Sequence, residues 1–210
     1  EHIGRIEFDP RDSKTMYVAA QGPLFSEGGE RGLYKTTDGG ETWTNILKGT
    51  RWAGVNDVSV DPRNPDVLFA TSYHRLRGPY FLQSGGKGSA LWKSTDGGET
   101  WSEVTGGGFP ATMKGRMEIA IAPSNGDIMY VMVEADTNPN PRPTAGARAQ
   151  ASNSGLYRSA DGGKTWQQVP VPVAVTLTGI SFSDAKTAWV VGHGGTLLRS
   201  QDRGQSWVAV

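Results

Sequence analysis

Asp57, Glu118 and Glu134 are the carboxylates whose positions best suit chemistry. Asp57 and Glu118 directly precede the short apolar runs Val58-Ser59-Val60 and Ile119-Ala120-Ile121, and Glu134 lies just past Ile128-Met129-Tyr130-Val131. Residues at the ends of strands are carried to the rim of a sheet. Two facing carboxyl groups, one of them protonated, are what glycoside hydrolysis needs, ~5–5.5 Å apart for retention and ~6.5–9.5 Å for inversion. Arg5, Gln21, Tyr73, His74, Arg75, Tyr80 and His193 fall at corresponding strand ends or in the loops beyond, together with Arg77, Phe81 and Asp136. A cup of guanidinium, carboxylate and aromatic groups suits a sugar: rings stack on its apolar faces and polar groups bind its hydroxyls. Charged groups at a rim are mostly solvated or ion-paired, so ligand binding is the first expectation and hydrolysis the second.

Other chemistries find less support. His2, His74 and His193 are the only histidines, and two of them with Glu134 or Asp57 would make a sparse metal site. Isolated surface histidines are the ordinary reading, so neither a metal nor a cofactor is expected. There is no cysteine, which removes thiol nucleophiles and disulfides. The Asp-Gly-Gly turns lack the alternating oxygen ligands of a calcium loop. No phosphate loop or dinucleotide fingerprint occurs. Lys+Arg and Asp+Glu are both 21, so the neutral chain offers no footprint for nucleic acid or an anionic membrane. No apolar run approaches the ~18 residues of a membrane span, and the opening Glu1-His2-Ile3-Gly4 does not read as a signal peptide.

The elements that must hold these residues are strands. Glycine numbers 29 of 210 residues, about twice the usual ~7%. Apolar runs are short, rich in Val, Ile, Tyr, Phe and Trp, and bounded by Gly, Asp, Asn and Pro, which predicts an all-β chain. Four octapeptides repeat: Thr36-Thr-Asp38-Gly-Gly-Glu-Thr-Trp43, Ser94-Thr-Asp96-Gly-Gly-Glu-Thr-Trp101, Ser159-Ala-Asp161-Gly-Gly-Lys-Thr-Trp166 and Ser200-Gln-Asp202-Arg-Gly-Gln-Ser-Trp207. Each follows an apolar run and precedes a shorter one, as a hairpin turn does. The Asp accepts turn amides, Gly supplies positive φ, the hydroxyls bridge the turn ends, and the Trp packs between sheets. Two further runs precede each octapeptide, such as Arg5-Ile6-Glu7-Phe8 and Met16-Tyr17-Val18-Ala19 in the first repeat. Four strands in meander order, repeated four times, predict a β-propeller of four-stranded antiparallel blades. The blades span approximately residues 1–50, 51–107, 108–170 and 171–210 of a single domain.

The octapeptide resembles the Asp box, or BNR repeat, of sialidases, xyloglucanase-type glycoside hydrolases, sortilin-type receptors and photosystem II assembly factors. Gly4-Arg5-Ile6, Asp9-Pro10, Arg31-Gly32-Leu33-Tyr34-Lys35-Thr36-Thr37-Asp38-Gly39-Gly40 and Asp61-Pro62-Arg63-Asn64-Pro65 make blades one to three similar to bacterial sortilin-like or "glycosyl hydrolase" BNR proteins. The stretch Leu177–Trp207 looks more like the photosystem assembly factors. The resemblance implies a propeller and an extracytoplasmic setting, periplasmic or secreted. It implies little about activity, because the box lies on a blade's outer edge. A sialidase is disfavoured, since Arg5-Ile6 runs into Glu7 and not Pro. Pro23-Leu24-Phe25 stands where relatives tend to carry His-Leu-Trp, so no role of that His transfers.

The box aspartates Asp38, Asp96, Asp161 and Asp202 are unevenly spaced, the last interval being the shortest. The surplus falls between the second and third strands: Ser72 to Ser89 in blade two, Glu134 to Ser154 in blade three, and a shorter stretch from Gln21 in blade one. Long loops gathered on one face are more often functional than structural. The Pro/Ala/Asn-rich segment after Ala135 reads as a mobile flap or disordered insertion. Four blades leave three arrangements: a self-closed ring, a dimer closing a larger ring, or part of a longer chain. Self-closure as a monomer is the leading expectation. The functional expectation is a non-catalytic recognition module for a glycan or protein segment, with a glycoside hydrolase and an assembly or scaffold factor as alternatives.

Overall fold

The computed structural model describes residues 2–135 and 153–210. Asp136 and the segment expected to be a flap lie outside the described residues. Blade 1 is β1 (Ile3–Asp9), β2 (Asp12–Ala20), β3 (Gly32–Thr36) and β4 (Thr44–Lys48). Blade 2 is β5 (Ala53–Val60), β6 (Leu68–Gly78), β7 (Phe81–Ser84), β8 (Ala90–Ser94) and β9 (Ser102–Glu103). Blade 3 is β10 (Lys114–Ala122), β11 (Asn125–Ala135), β12 (Gly155–Ser159) and β13 (Gln167–Val169). Blade 4 is β14 (Leu177–Phe182), β15 (Ala188–Gly192), β16 (Thr196–Ser200) and β17 (Val208–Ala209), with a short 3-10 turn over His193–Gly195. Each blade is an antiparallel meander in chain order, and β7 pairs with the extended end of β6 as an added hairpin. The propeller blades read from the sequence are present.

The octapeptides fold as expected. In the first, the Thr36 hydroxyl donates to Asp38 at 2.6 Å and accepts from the Gly40 amide at 3.0 Å. Asp38 also accepts the Thr42 amide at 3.0 Å, and the Trp43 indole N–H donates to the Gly40 carbonyl at 3.0 Å. Gly39 turns the chain at φ 82°, where Gly97 and Gly162 do the same. In the fourth box Arg203 occupies that left-handed position at φ 60°. These hydroxyl and amide donors hold Asp96, Asp161 and Asp202 down at about 2 and lower Asp38 as well. A carboxyl depressed in the folded state adds stability above its ordinary range, and that stability is lost as pH falls through the folded value. The thermal midpoint is therefore expected to fall steadily between about pH 4 and pH 2. A scan of midpoint against pH checks this, and Asp161→Asn should flatten part of that slope.

The core is divided among three seams. Tyr17, Ala19 and Leu33 of blade 1 meet Val58, Leu68 and Ala70 of blade 2. Phe69 and Leu91 of blade 2 meet Ile119, Val131 and Trp166 of blade 3. Tyr130, Met132 and Leu156 of blade 3 meet Val190, Leu198 and Trp207 of blade 4. A closed ring of four would need a fourth seam. Among the described residues blade 4 does not pack on blade 1, and Ile6, Phe8 and Trp43 stand exposed on one end while Val191 and Val208 do so on the other. The expectation of self-closure is corrected: four blades stacked face to face form an open arc.

Candidate functional site

Arg5, Asp57, Glu118 and Gly179 occupy corresponding places in the first strands of the four blades and lie near one another. A register shift sits at the same place in every blade, between Ile3 and Arg5, Val55 and Asp57, Lys114 and Met117, and Leu177 and Gly179. Such bulges re-aim the side chains that follow them. Arg5 Nε lies 3.9 Å from Asp57 Oδ1, and Arg5 Nη2 donates to Glu7 at 2.7 Å. A Cβ on Gly179 would stand 3.8 Å from Glu118 Oε2.

Asp57 is buried and bound to backbone. Its carboxylate accepts the Val58 amide at 3.0 Å and, across the seam, the Ile119 amide at 2.9 Å. Neighbouring Asn56 donates to the Met117 carbonyl at 2.7 Å and accepts from Thr71. Burial pushes the Asp57 carboxyl up to about 7, against the pull of the Ile119 N–H and Arg5. Asp57 lines neither of the two cavities described next, so its place is that of a tie between blades 2 and 3.

Glu118 and Glu134 share a cavity of about 700 Å³ with Tyr73, Arg116 and His193. Its apolar wall comes from Leu82 of the added hairpin and from Val171, Val173 and Val175, which join blade 3 to blade 4. Glu134 accepts the Ser84 hydroxyl at 2.6 Å and the Arg116 amide at 2.9 Å, and Ser84 shares a 2.8 Å bond with the Tyr73 hydroxyl. Glu118 is ion-paired with Arg116. Burial raises the Glu118 carboxyl, with Arg116 and Arg5 opposing, and burial raises the Tyr73 phenol.

A second recess of about 300 Å³ adjoins the first and shares Tyr73, Leu82 and Arg116 with it. Gln21, Leu24, Arg75 and Arg77 complete its wall, so three guanidinium groups and no carboxylate face it. Arg75 Nε and Nη2 are buried with no hydrogen-bond partner among the described residues. Burial and the nearby Arg116 both lower the Arg75 pKa, which marks a cation short of a counter-charge.

Gln21, Tyr73, Arg75, Glu118, Glu134 and His193 are thus gathered at one rim. His74 is not: its ring packs under Gly86 beside Gln83, and burial with Arg31 lowers its pKa. Tyr80 is 99% exposed at the tip of the β6–β7 hairpin. No cluster of three or more metal-ligating side chains occurs among the described residues. Arg116, Ser84 and the valine-rich linker were missed from sequence. Arg116 had a usable signal, since alternation puts it on the same face as Glu118 two residues on.

Two family models match the chain: the BNR/Asp-box repeat over residues 92–103, and the photosynthesis system II assembly factor YCF48 over residues 148–210. The chain is 27% identical over 179 residues to the xyloglucanase Xgh74A of Acetivibrio thermocellus, covering 80% of this chain and 20% of that protein. It is 29% identical over 187 residues to a xyloglucanase of Hypocrea jecorina, with the same coverage of 80% and 20%. It spans about a fifth of the length of these curated relatives. In structure it is similar to the GH74 xyloglucanase of Xanthomonas campestris, with a TM-score of 0.68, 19% identity, and coverage of 99% of this chain and 30% of that one. The chain is a BNR-repeat propeller arc resembling both glycoside hydrolases and the photosystem assembly factor.

Proposed function

We propose that this chain recognises a polysaccharide segment of the xyloglucan class at the rim of blades 2 to 4, and that it does not cleave that segment by itself. The observation that carries this reading is the state of the carboxylates. Asp57 is consumed by backbone amides, Glu134 by a hydroxyl and an amide, and Glu118 by Arg116. Groups so engaged orient hydroxyls better than they attack a glycosidic carbon. The open cavity with one aromatic face, Tyr73, and a valine wall suits a sugar ring lying flat. Similarity to xyloglucanases over most of the chain supplies the class of glycan. A polysaccharide ligand in turn supports an extracytoplasmic setting. Titration with xyloglucan oligosaccharides, followed by intrinsic fluorescence or calorimetry, tests the reading. Tyr73→Ala is expected to weaken binding about tenfold, as loss of an aromatic anchor does. Binding that is absent in the parent, or unchanged in Tyr73→Ala, would sink it.

A second reading has one specific observation in its favour. Glu118 lies in the same cavity as Glu134, and burial raises its carboxyl, the direction a general acid requires. On that reading the protein is a glycoside hydrolase with Glu118 as acid. The assembly-factor reading is supported by the sequence match over residues 148–210 alone.

A further inference from the structure

The second recess is built on one face of one strand. Tyr73, Arg75 and Arg77 alternate along β6, so their side chains stand on the same side of the added hairpin. β7 fixes that stretch, pairing Ser84 with Arg75 and Leu82 with Arg77. The Arg77 amide donates to the Leu24 carbonyl at 3.1 Å, which ties the hairpin to the loop after β2. Arg31 holds that loop in turn: its guanidinium donates to the Pro23 carbonyl at 2.7 Å and to the Gln21 carbonyl. Arg116 reaches the recess from β10, its backbone amide fixed on Glu134 at 2.9 Å. The walls therefore belong to blades 1 to 3 and to seams present in the structure, not to the outer faces of blades 1 and 4.

The charges in the recess do not balance. Arg116 is paired with Glu118, and Arg5, outside the recess, with Glu7 and Asp57. Neither Arg75 nor Arg77 has an ion pair among the described residues. The two buried Arg75 nitrogens without a partner there are Nε and Nη2. Those two N–H groups lie side by side and form the fork that grips a carboxylate with two parallel bonds. A buried fork without an acceptor is costly, and an anion seated on it removes that cost.

The surroundings say what carries the anion. Tyr73 and Leu82 line both cavities, so a chain lying in the larger one continues into the smaller. A recess of about 300 Å³ admits one sugar unit, with Leu24 and Leu82 as apolar wall and the Gln21 amide to meet hydroxyls. We propose that this recess binds the carboxylate of a uronic acid unit, carried by the glycan whose neutral units lie in the adjoining cavity. The inference rests on recognition of a glycan at this rim and narrows its class to acidic polysaccharides.

Calorimetric titration with two matched ligands tests it. One is a set of neutral xyloglucan oligosaccharides, and the other is the same set with side-chain C6 hydroxymethyl groups oxidised to carboxylates. The parent is expected to bind the oxidised ligand about tenfold more tightly, and the gain should shrink as salt rises. Arg75→Gln should abolish the gain. Arg77→Gln, at an exposed position on the hairpin, should cut it to about threefold or less and leave affinity for the neutral ligand unchanged. Glucuronate should displace the oxidised ligand at a concentration where acetate does not. Equal affinity for both ligands would overturn the proposal and leave recognition of a neutral glycan standing. Binding of the oxidised ligand alone would support the proposal and remove the neutral ligand class. Binding of neither would overturn both. A gain that survives Arg77→Gln intact, or displacement by acetate as readily as by glucuronate, would also overturn the proposal.

Discussion

Replacing Trp166 by alanine is expected to cost about 3–5 kcal/mol, whereas the same change at Trp43 should cost no more than about 1 kcal/mol. The two residues close the same octapeptide and make the same turn bond, from the indole N–H to the carbonyl of the second glycine. Only their surroundings differ. Trp166 is packed in the seam between blades 2 and 3, with the Phe109 ring 5.3 Å away. Trp43 packs against no other blade among the described residues and is 41% exposed. In a repeat array stability is roughly a sum of units and seams, so opening one seam removes its whole burial. Thermal or urea unfolding measures the difference. Equal losses at the two sites would mean that blade 1 is covered in the isolated chain and that the arc is closed.

Asp57→Ala is the second large effect. The substitution leaves the Val58 and Ile119 amides buried without an acceptor, at about 1–3 kcal/mol each. Its pH dependence separates a structural carboxyl from a catalytic one. The Asp57 carboxyl is raised to about 7 by burial. A carboxyl raised in the folded state favours folding while protonated, and that advantage is lost as pH rises through the folded value. The cost of Asp57→Ala should therefore be larger at pH 5 than at pH 8, measured as the shift in urea midpoint. Oligosaccharide affinity should not change, because Asp57 lines neither cavity. Loss of affinity with unchanged stability would instead put Asp57 in the site.

The blades were legible in the sequence because the signals that make them are local. Asp38 and its counterparts set the turns, and alternation such as Arg5-Ile6-Glu7-Phe8 sets the strands. Glu118, Glu134, Tyr73 and His193 do line one cavity, since ends of equivalent strands gather at one rim whatever the details. Asp57 lies outside both cavities for a physical reason. Position on a strand says which end a residue occupies, but the bulge between Val55 and Asp57 and the neighbouring strand's free Ile119 amide decide that it turns inward. Ring closure was misjudged because it depends on rotation between sheets, which no local pattern encodes. The exposure of Trp43 could not be read from a box that looks the same in all four blades. Arg116 and the linker valines enter the cavity from different blades, and only packing brings them together.

The most direct test of recognition without cleavage is one titration of the parent chain with xyloglucan oligosaccharides, sampled in parallel for new reducing ends. Saturable binding with no new ends, before and after Glu118→Gln, is the expected result. New ends from the parent that vanish in Glu118→Gln would contradict it and make the rim of blades 2 to 4 a hydrolytic site.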